Sequence, residues 1–353
     1  MSSSDDAWSE QDTTPARIAA ALRELLKQRH AETEAFVPAR VLNLVVIVER
    51  EWRGEIQDRL DKVGSYHASR TILCSVEEGR TTMDGWASMT AEEDLSEGEP
   101  AVAREQVVID MGPRHLESLD TIIDPLIVTD LATLVWAPHG HRDGVDACSR
   151  LAQIVLFDSV DVGDPFAAVQ RSRELAEDHY VVDLAWLRST PWRERVASTF
   201  HPRQWRSELL GINSVAVRHH PDSRIAGLLL FGWLASRLGW QPGRITAHGG
   251  TMRGSAKAHR QEVTLELDPD PTMIAPGLSG ITIETASGLS MALDRGPGGL
   301  TARRHTRDGN EQTWTVMGAS RGEAGVLGEG IRQALLRDHT YAPALDAAGE
   351  MVA

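Results

Sequence analysis

RVLNLVVIV, residues Arg40 to Val48, is a nearly unbroken apolar run rich in β-branched side chains, and the fold class follows from it. A strand that is apolar on both faces belongs inside a parallel or mixed sheet with helices layered outside it. Before this run, Ile18, Leu22, Leu25 and Leu26 recur at helical spacing, with Thr14 placed as N-cap and Pro15 at the first helical position. After it, a helix over Arg53 to Val63 leads to strands at Ser69 to Val76, Glu105 to Met111, Thr133 to Trp136 and Gln153 to Phe157, with a helix at Gly144 to Leu151. That alternation predicts an α/β domain over 14–160. Residues 1–13, rich in Ser, Asp, Glu and Gln, are expected to be a disordered lead.

The texture changes downstream. Pro165 to Glu177 and Leu184 to Phe200 read as a helical connector over 161–205, restarted at Thr190 and Pro191. A strand at Asn213 to Arg218 and a helix at Arg224 to Leu238 open an α+β domain over 206–340. Short strands follow at Ile245 to Ala247, Glu262 to Leu267, Gly280 to Thr285, Ser290 to Asp294, Leu300 to Arg304 and Thr313 to Met317. These predict an antiparallel meander, with a helix at Leu327 to Leu336 covering one face and a tail over 341–353. The expected architecture is therefore a mixed α/β sheet layered by helices, then a second domain with a meander and covering helices.

Composition narrows the partners. The 353 residues carry 36 Lys and Arg against 51 Asp and Glu, a formal net charge of -15, and such a field repels phosphate backbones and anionic lipid. Neither nucleic acid nor a membrane is expected as a partner. The longest apolar stretch, Ile225 to Ala235, is far short of the ~20 residues that span a bilayer. Two cysteines, Cys74 and Cys148, make no disulfide framework, and the N-terminus has no basic-then-apolar leader; the expected location is the cytoplasm.

No motif carries catalysis. His139 and His141, followed by Asp143, Asp146 and Cys148, offer metal-ligand types, but Pro138 to Gly144 reads as an exposed turn and no metal is expected. His219 and His220 are adjacent on a strand, so they point to opposite faces and cannot share an ion; a solvated strand end is the simpler reading. Gly249 to Lys257 (GGTMRGSAK) fails the phosphate-loop spacing and reads as a hairpin loop. Glu92 to Glu99 reads as a solvated acidic loop. Ser320 to Gly330 (SRGEAGVLGEG) matches neither dinucleotide nor phosphate-loop spacing; as a glycine-rich loop with Arg321 it supports the competing reading of a sugar-phosphate-binding sensor or enzyme. No cofactor and no catalytic residue is assigned.

The positive anomaly is tryptophan. Trp186, Trp192, Trp205, Trp233 and Trp240 make five of the ten within 55 positions, accompanied by Arg188, Arg193, Arg195, Arg203 and Arg206. Tryptophan and arginine are the side chains enriched at interface hot spots. Trp192, Val196 and Phe200 share one helical face and Trp233 lies inside an apolar helix, so those read as core. Arg193 and Arg195 are then turned to other faces. The partner-surface candidates are Trp186, Arg188, Arg193 and Trp205.

Several segments together resemble the OpcA proteins, glucose-6-phosphate dehydrogenase assembly proteins of cyanobacteria and actinobacteria. They are RVLNL at Arg40 to Leu44, HASR at His67 to Arg70, the strand ending at Trp136, and Asp158 with Ser159 after QIVLF. The others are DLAWLRSTPWRERVASTF at Asp183 to Phe200 and GWLASRLGW at Gly232 to Trp240. The resemblance implies a non-catalytic protein that binds glucose-6-phosphate dehydrogenase, promotes its oligomeric assembly and activates it in the oxidative pentose phosphate pathway. It implies no catalytic residues. Cyanobacterial members are associated with thioredoxin control, whereas Cys74 on a buried strand and Cys148 on a helix offer no evident dithiol switch here.

Overall fold

The computed structural model describes residues 7–32, 40–64, 69–91, 103–259, 261–296, 298–317 and 322–353. In it the apolar run is a strand buried at every position from Leu42 to Val48. The first part of the chain runs β1 (Ala7–Glu10), α1 (Pro15–Glu32), β2 (Leu42–Glu49), α2 (Arg53–Gly64), β3 (Ser69–Val76), β4 (Asp84–Ala91), β5 (Ala103–Met111), α3 (Leu119–Ile123), β6 (Thr133–Trp136), α4 (Arg142–Ala147), β7 (Ile154–Phe157), α5 (Pro165–Asp178) and β8 (Tyr180–Asp183). Eight strands form one sheet in the order β1-β4-β5-β3-β2-β6-β7-β8. The run β5-β3-β2-β6-β7 is parallel, and β4 and β1 extend its edge antiparallel.

The second part runs α6 (Leu184–Arg188), α7 (Thr190–Phe200), β9 (Ile212–His219), α8 (Arg224–Leu238), β10 (Gln241–Pro242), β11 (Thr246–His248), β12 (Thr251–Lys257), β13 (Glu262–Pro269), β14 (Leu278–Thr285), β15 (Ser290–Gly296), β16 (Gly299–His305), β17 (Glu311–Met317), α9 (Gly322–Leu336) and α10 (Tyr341–Val352). The second sheet is ordered β10-β12-β13-β9-β14-β15-β16-β17, with β11 beside β12. From β14 to β17 it is the antiparallel meander that the turn spacing predicts; β13 beside β9 is its one parallel pair among the described strands. Mixed α/β architecture with two helix-layered sheets follows.

Two compact units divide the chain: Met1–Phe157, Asp178–Val182 and Glu323–Leu336 form one, and Asp158–Glu177, Asp183–Gly322 and Arg337–Ala353 the other. In the second unit α8 is apolar over most of its circumference because it packs against β9 and β13 and against α10. Gly232 makes that layering close: a Cβ there would stand 2.0 Å from the Ala344 carbonyl oxygen of α10. Among the described residues no helix is long and apolar enough to cross a membrane.

Four expectations change. Ala7–Glu10, read as part of a disordered lead, pair with β4, and Thr13 N–H reaches the Met83 carbonyl at 2.8 Å; an available sheet edge supplied what composition could not show. The stretch read as a tail is α10, with Tyr341, Ala344, Leu345, Ala348 and Met351 buried at helical spacing. GGTMRGSAK is not only a loop: Thr251–Lys257 is a strand between β13 and the β10 and β11 segments. The helix expected to cover the meander, α9, belongs to the first unit, where Gly328 faces Val63 of α2. An amphipathic stripe requires a partner without naming it. The acidic stretch Glu92 to Glu99 lies outside the described residues.

Candidate functional site

The Trp- and Arg-rich segment begins at Asp183, which ends β8 and caps α6. Its Oδ1 accepts the backbone N–H of Ala185 at 2.9 Å and of Ser159 at 3.2 Å, and the Tyr341 hydroxyl donates to Oδ2 at 3.2 Å. Complete burial, with the charge of Asp158 added, raises this carboxyl to about 6 against the opposing hydrogen bonds. Asp158 itself is held by a bidentate pair with Arg188, at 2.9 and 2.7 Å. One turn on, the Trp186 indole N–H donates to Asp338 at 2.8 Å, and its ring lies 5.5 Å from that of Tyr341. The guanidinium of Arg193 sits 3.3 Å over the Trp186 ring and donates to the Trp186 carbonyl at 2.7 Å. Desolvation pushes Arg193 down to about 9, so it remains a cation at neutral pH.

These contacts place the candidates differently from one another. Trp186, 2% exposed, and Arg193, 6% exposed, are interior, so Arg193 does not turn to another face as its helical position suggests. The reason is α6: its five residues carry Trp186 under the start of α7, and the guanidinium three residues into α7 stacks on it. Arg188 is half-buried against Asp158. Trp205 is half-buried, and Arg304 of β16 lies 4.5 Å over its ring and 5.1 Å over that of Trp314. The inward stripe of α7 is as expected, with Trp192, Val196 and Phe200 all buried.

Trp233, read as core, is half-exposed instead. It stands at an apolar groove of about 260 Å³ between α7, α8 and the turn Arg206–Gly211, floored by Val196, Phe200 and Leu234. Nothing in the spacing signals this, because Trp233 keeps helical phase with the buried residues of α8 and lacks only a neighbour above it.

The remaining candidates are not brought together. Among the described residues no three or more His, Cys, Asp or Glu side chains converge to hold a metal. The His139 ring lies tilted 4.9 Å from that of Trp52, and His141 lies 3.3 Å from Glu49. Both pairs stand outside the carboxyl ends of β2 and β6, where the strand order reverses and α/β sheets commonly take ligands. The turn leaving β2 there is Arg50-Glu51-Trp52, with no glycine-rich fingerprint. His219 is fully buried rather than solvated, its Nδ1–H donating to the His220 carbonyl at 2.7 Å. Ser320 to Gly330 is not a loop beyond its start: from Gly322 it is α9, with Leu327 and Gly330 buried, while 318–321 lie outside the described residues. Burial raises both thiols, Cys74 well above its ordinary value and Cys148 to about 12.

Two consecutive family models match the chain, described as the glucose-6-phosphate dehydrogenase subunit N-terminal domain over residues 61–174 and C-terminal domain over 179–345. The chain belongs to the OpcA family. OxPP cycle proteins named OpcA are similar to it: that of Synechococcus elongatus is 26% identical over 60% of this chain and 47% of its own length, and that of Nostoc punctiforme 31% identical over 36% and 28%. The chain thus spans about half or less of the length of the curated relatives it matches. Among solved structures, an oxidoreductase from Bacillus cereus is 9% identical at a TM-score of 0.44, covering 88% of this chain and 96% of that one. An apo scyllo-inositol dehydrogenase from Lactobacillus casei is 11% identical at 0.44, covering 89% and 96%. Likenesses that weak do not bear on activity.

The segments that carry the OpcA resemblance act as internal braces. Arg40 of RVLNL and Arg70 of HASR both pair with the buried Glu105. Asn43 of RVLNL donates to the Val128 carbonyl at 3.0 Å and accepts the Val128 N–H at 2.9 Å. Asp158 and Asp183 hold Arg188, Ser159 and Tyr341 as described above.

Proposed function

We propose that the chain is a non-catalytic partner of glucose-6-phosphate dehydrogenase that binds it, promotes its active oligomer and activates it allosterically. One observation carries the reading: two models described as subunit domains of that dehydrogenase match in order over 61–174 and 179–345. A protein that binds the active state of an enzyme more tightly than the inactive state shifts the population by that difference alone.

In this reading Trp186 and Arg193 act from inside, fixing the segment, while Trp205 and the edge at Arg188 belong to the contact face. The test is a steady-state assay of the dehydrogenase with increasing amounts of this chain. A rise in rate that saturates near equimolar addition is expected, with no turnover by the chain alone. Unchanged kinetics would remove the proposal. A melting-temperature rise of the chain alone on adding glucose 6-phosphate or a nicotinamide nucleotide would instead favour the small-molecule sensor.

A further inference from the structure

We propose that the groove between α7, α8 and the turn Arg206–Gly211 is a socket for an acidic, amphipathic segment of the partner protein, anchored by one aromatic or leucine side chain. This rests on the partner-binding reading above and adds to it a surface and a chemistry. The volume comes first. About 260 Å³ exceeds the roughly 150 Å³ of an apolar cavity that takes up a benzene ring, so a ring or a leucine side chain fits. Val196, Phe200 and Leu234 form an apolar floor, and Leu209 and Trp233 stand beside it half-exposed. Leu210, next on the same turn, is 79% exposed. Anchors of that size presented from a helix are the usual occupants of such grooves.

Charge then selects the occupant. Arg206 and Arg237 line the groove with His201, and no Asp or Glu is among the lining residues. Arg203, on the same connection, is exposed. The nearest carboxylate in sequence, Glu208, is turned to the hydroxyls of Thr285 and Ser287 at 2.9 and 2.6 Å. In a chain of net charge -15 this basic rim around an apolar floor is a local reversal of sign. It attracts carboxylates that flank an apolar anchor, while a second copy of this acidic chain is disfavoured by the overall repulsion.

Ala197 is exposed on α7 and lines the groove, so Ala197→Trp fills the socket without removing a core side chain. A second variant, Arg206→Glu with Arg237→Glu, reverses the rim and leaves the floor intact. Each is titrated against the dehydrogenase by calorimetry, after a thermal melt to check folding, and the chain alone is examined by sedimentation. Both variants are expected to melt like the wild type and to lose about tenfold or more in affinity. The rim variant is also expected to lose the salt dependence of wild-type binding. A photo-crosslinker at position 197 should capture a dehydrogenase segment rich in Asp and Glu around an apolar residue. Wild-type affinity in both variants, or capture of a segment without carboxylates, would overturn the socket and leave the proposed function standing. Failure of the wild type itself to bind would remove both. A wild-type self-association lost in Ala197→Trp would show the occupant to be a second copy and overturn the proposal.

Discussion

Asp183 is the residue through which burial, capping and the C-terminal helix meet, and its titration gives a sharp test. A carboxyl moved from 3.8 to about 6 by burial binds its proton more tightly in the folded chain than in the unfolded one. The stability it contributes is therefore full below about pH 4 and is lost as pH rises through 6, by about 3 kcal/mol. Asp183→Asn keeps an acceptor for the Ser159 and Ala185 N–H groups but does not titrate. Relative to the wild type it should gain about that amount between pH 4 and pH 7 in denaturant unfolding; a constant difference across this range would refute the assignment. For Trp186→Ala we expect a loss of about 3–5 kcal/mol, because it empties a core site, and for Arg193→Ala about 3, because the Trp186 carbonyl and the buried Ser189 hydroxyl lose a donor. Trp205→Ala should instead weaken dehydrogenase binding, roughly thirtyfold at about 2 kcal/mol. Chemical denaturation beside binding titration separates the two classes. Cys74 and Cys148, both buried and raised, should resist a thiol reagent in the native state and react on unfolding; rapid labelling of either would count against burial as the controlling factor.

At the scale of elements, the legible parts were those whose pattern is self-sufficient. The run at β2 and the apolar helix α8 announce themselves, and the turn-spaced strands from β14 to β17 follow their punctuation. β12 was missed because only Met252 and Ala256 of its seven residues are buried, too sparse an alternation to register, and its Gly254 is required by the approach of Ile245. β8 has four residues, and β1 is a strand only because β4 offers an edge. The site was half legible: the Trp and Arg enrichment located the segment, but which of its side chains face inward depends on α6 and α10, separated by about 150 positions from each other. Gly232 shows what such packing demands. Alanine normally favours a helix by about 1 kcal/mol over glycine, yet here its methyl would meet the Ala344 carbonyl, so Gly232→Ala should cost about 1–3 kcal/mol net. A midpoint in urea equal to or above the wild type would mean that α8 and α10 separate more easily than their contact implies.

For the whole molecule, two helix-layered sheets, OpcA family membership and internal braces in the segments that carry the resemblance frame the proposed function. Sedimentation velocity of an equimolar mixture tests the proposed association with glucose-6-phosphate dehydrogenase most directly. The expected result is a boundary heavier than either protein alone, containing both, with the dehydrogenase shifted to a larger oligomer than it forms by itself. Two independent boundaries at the values of the separate proteins, at concentrations where the dehydrogenase is active, would contradict it.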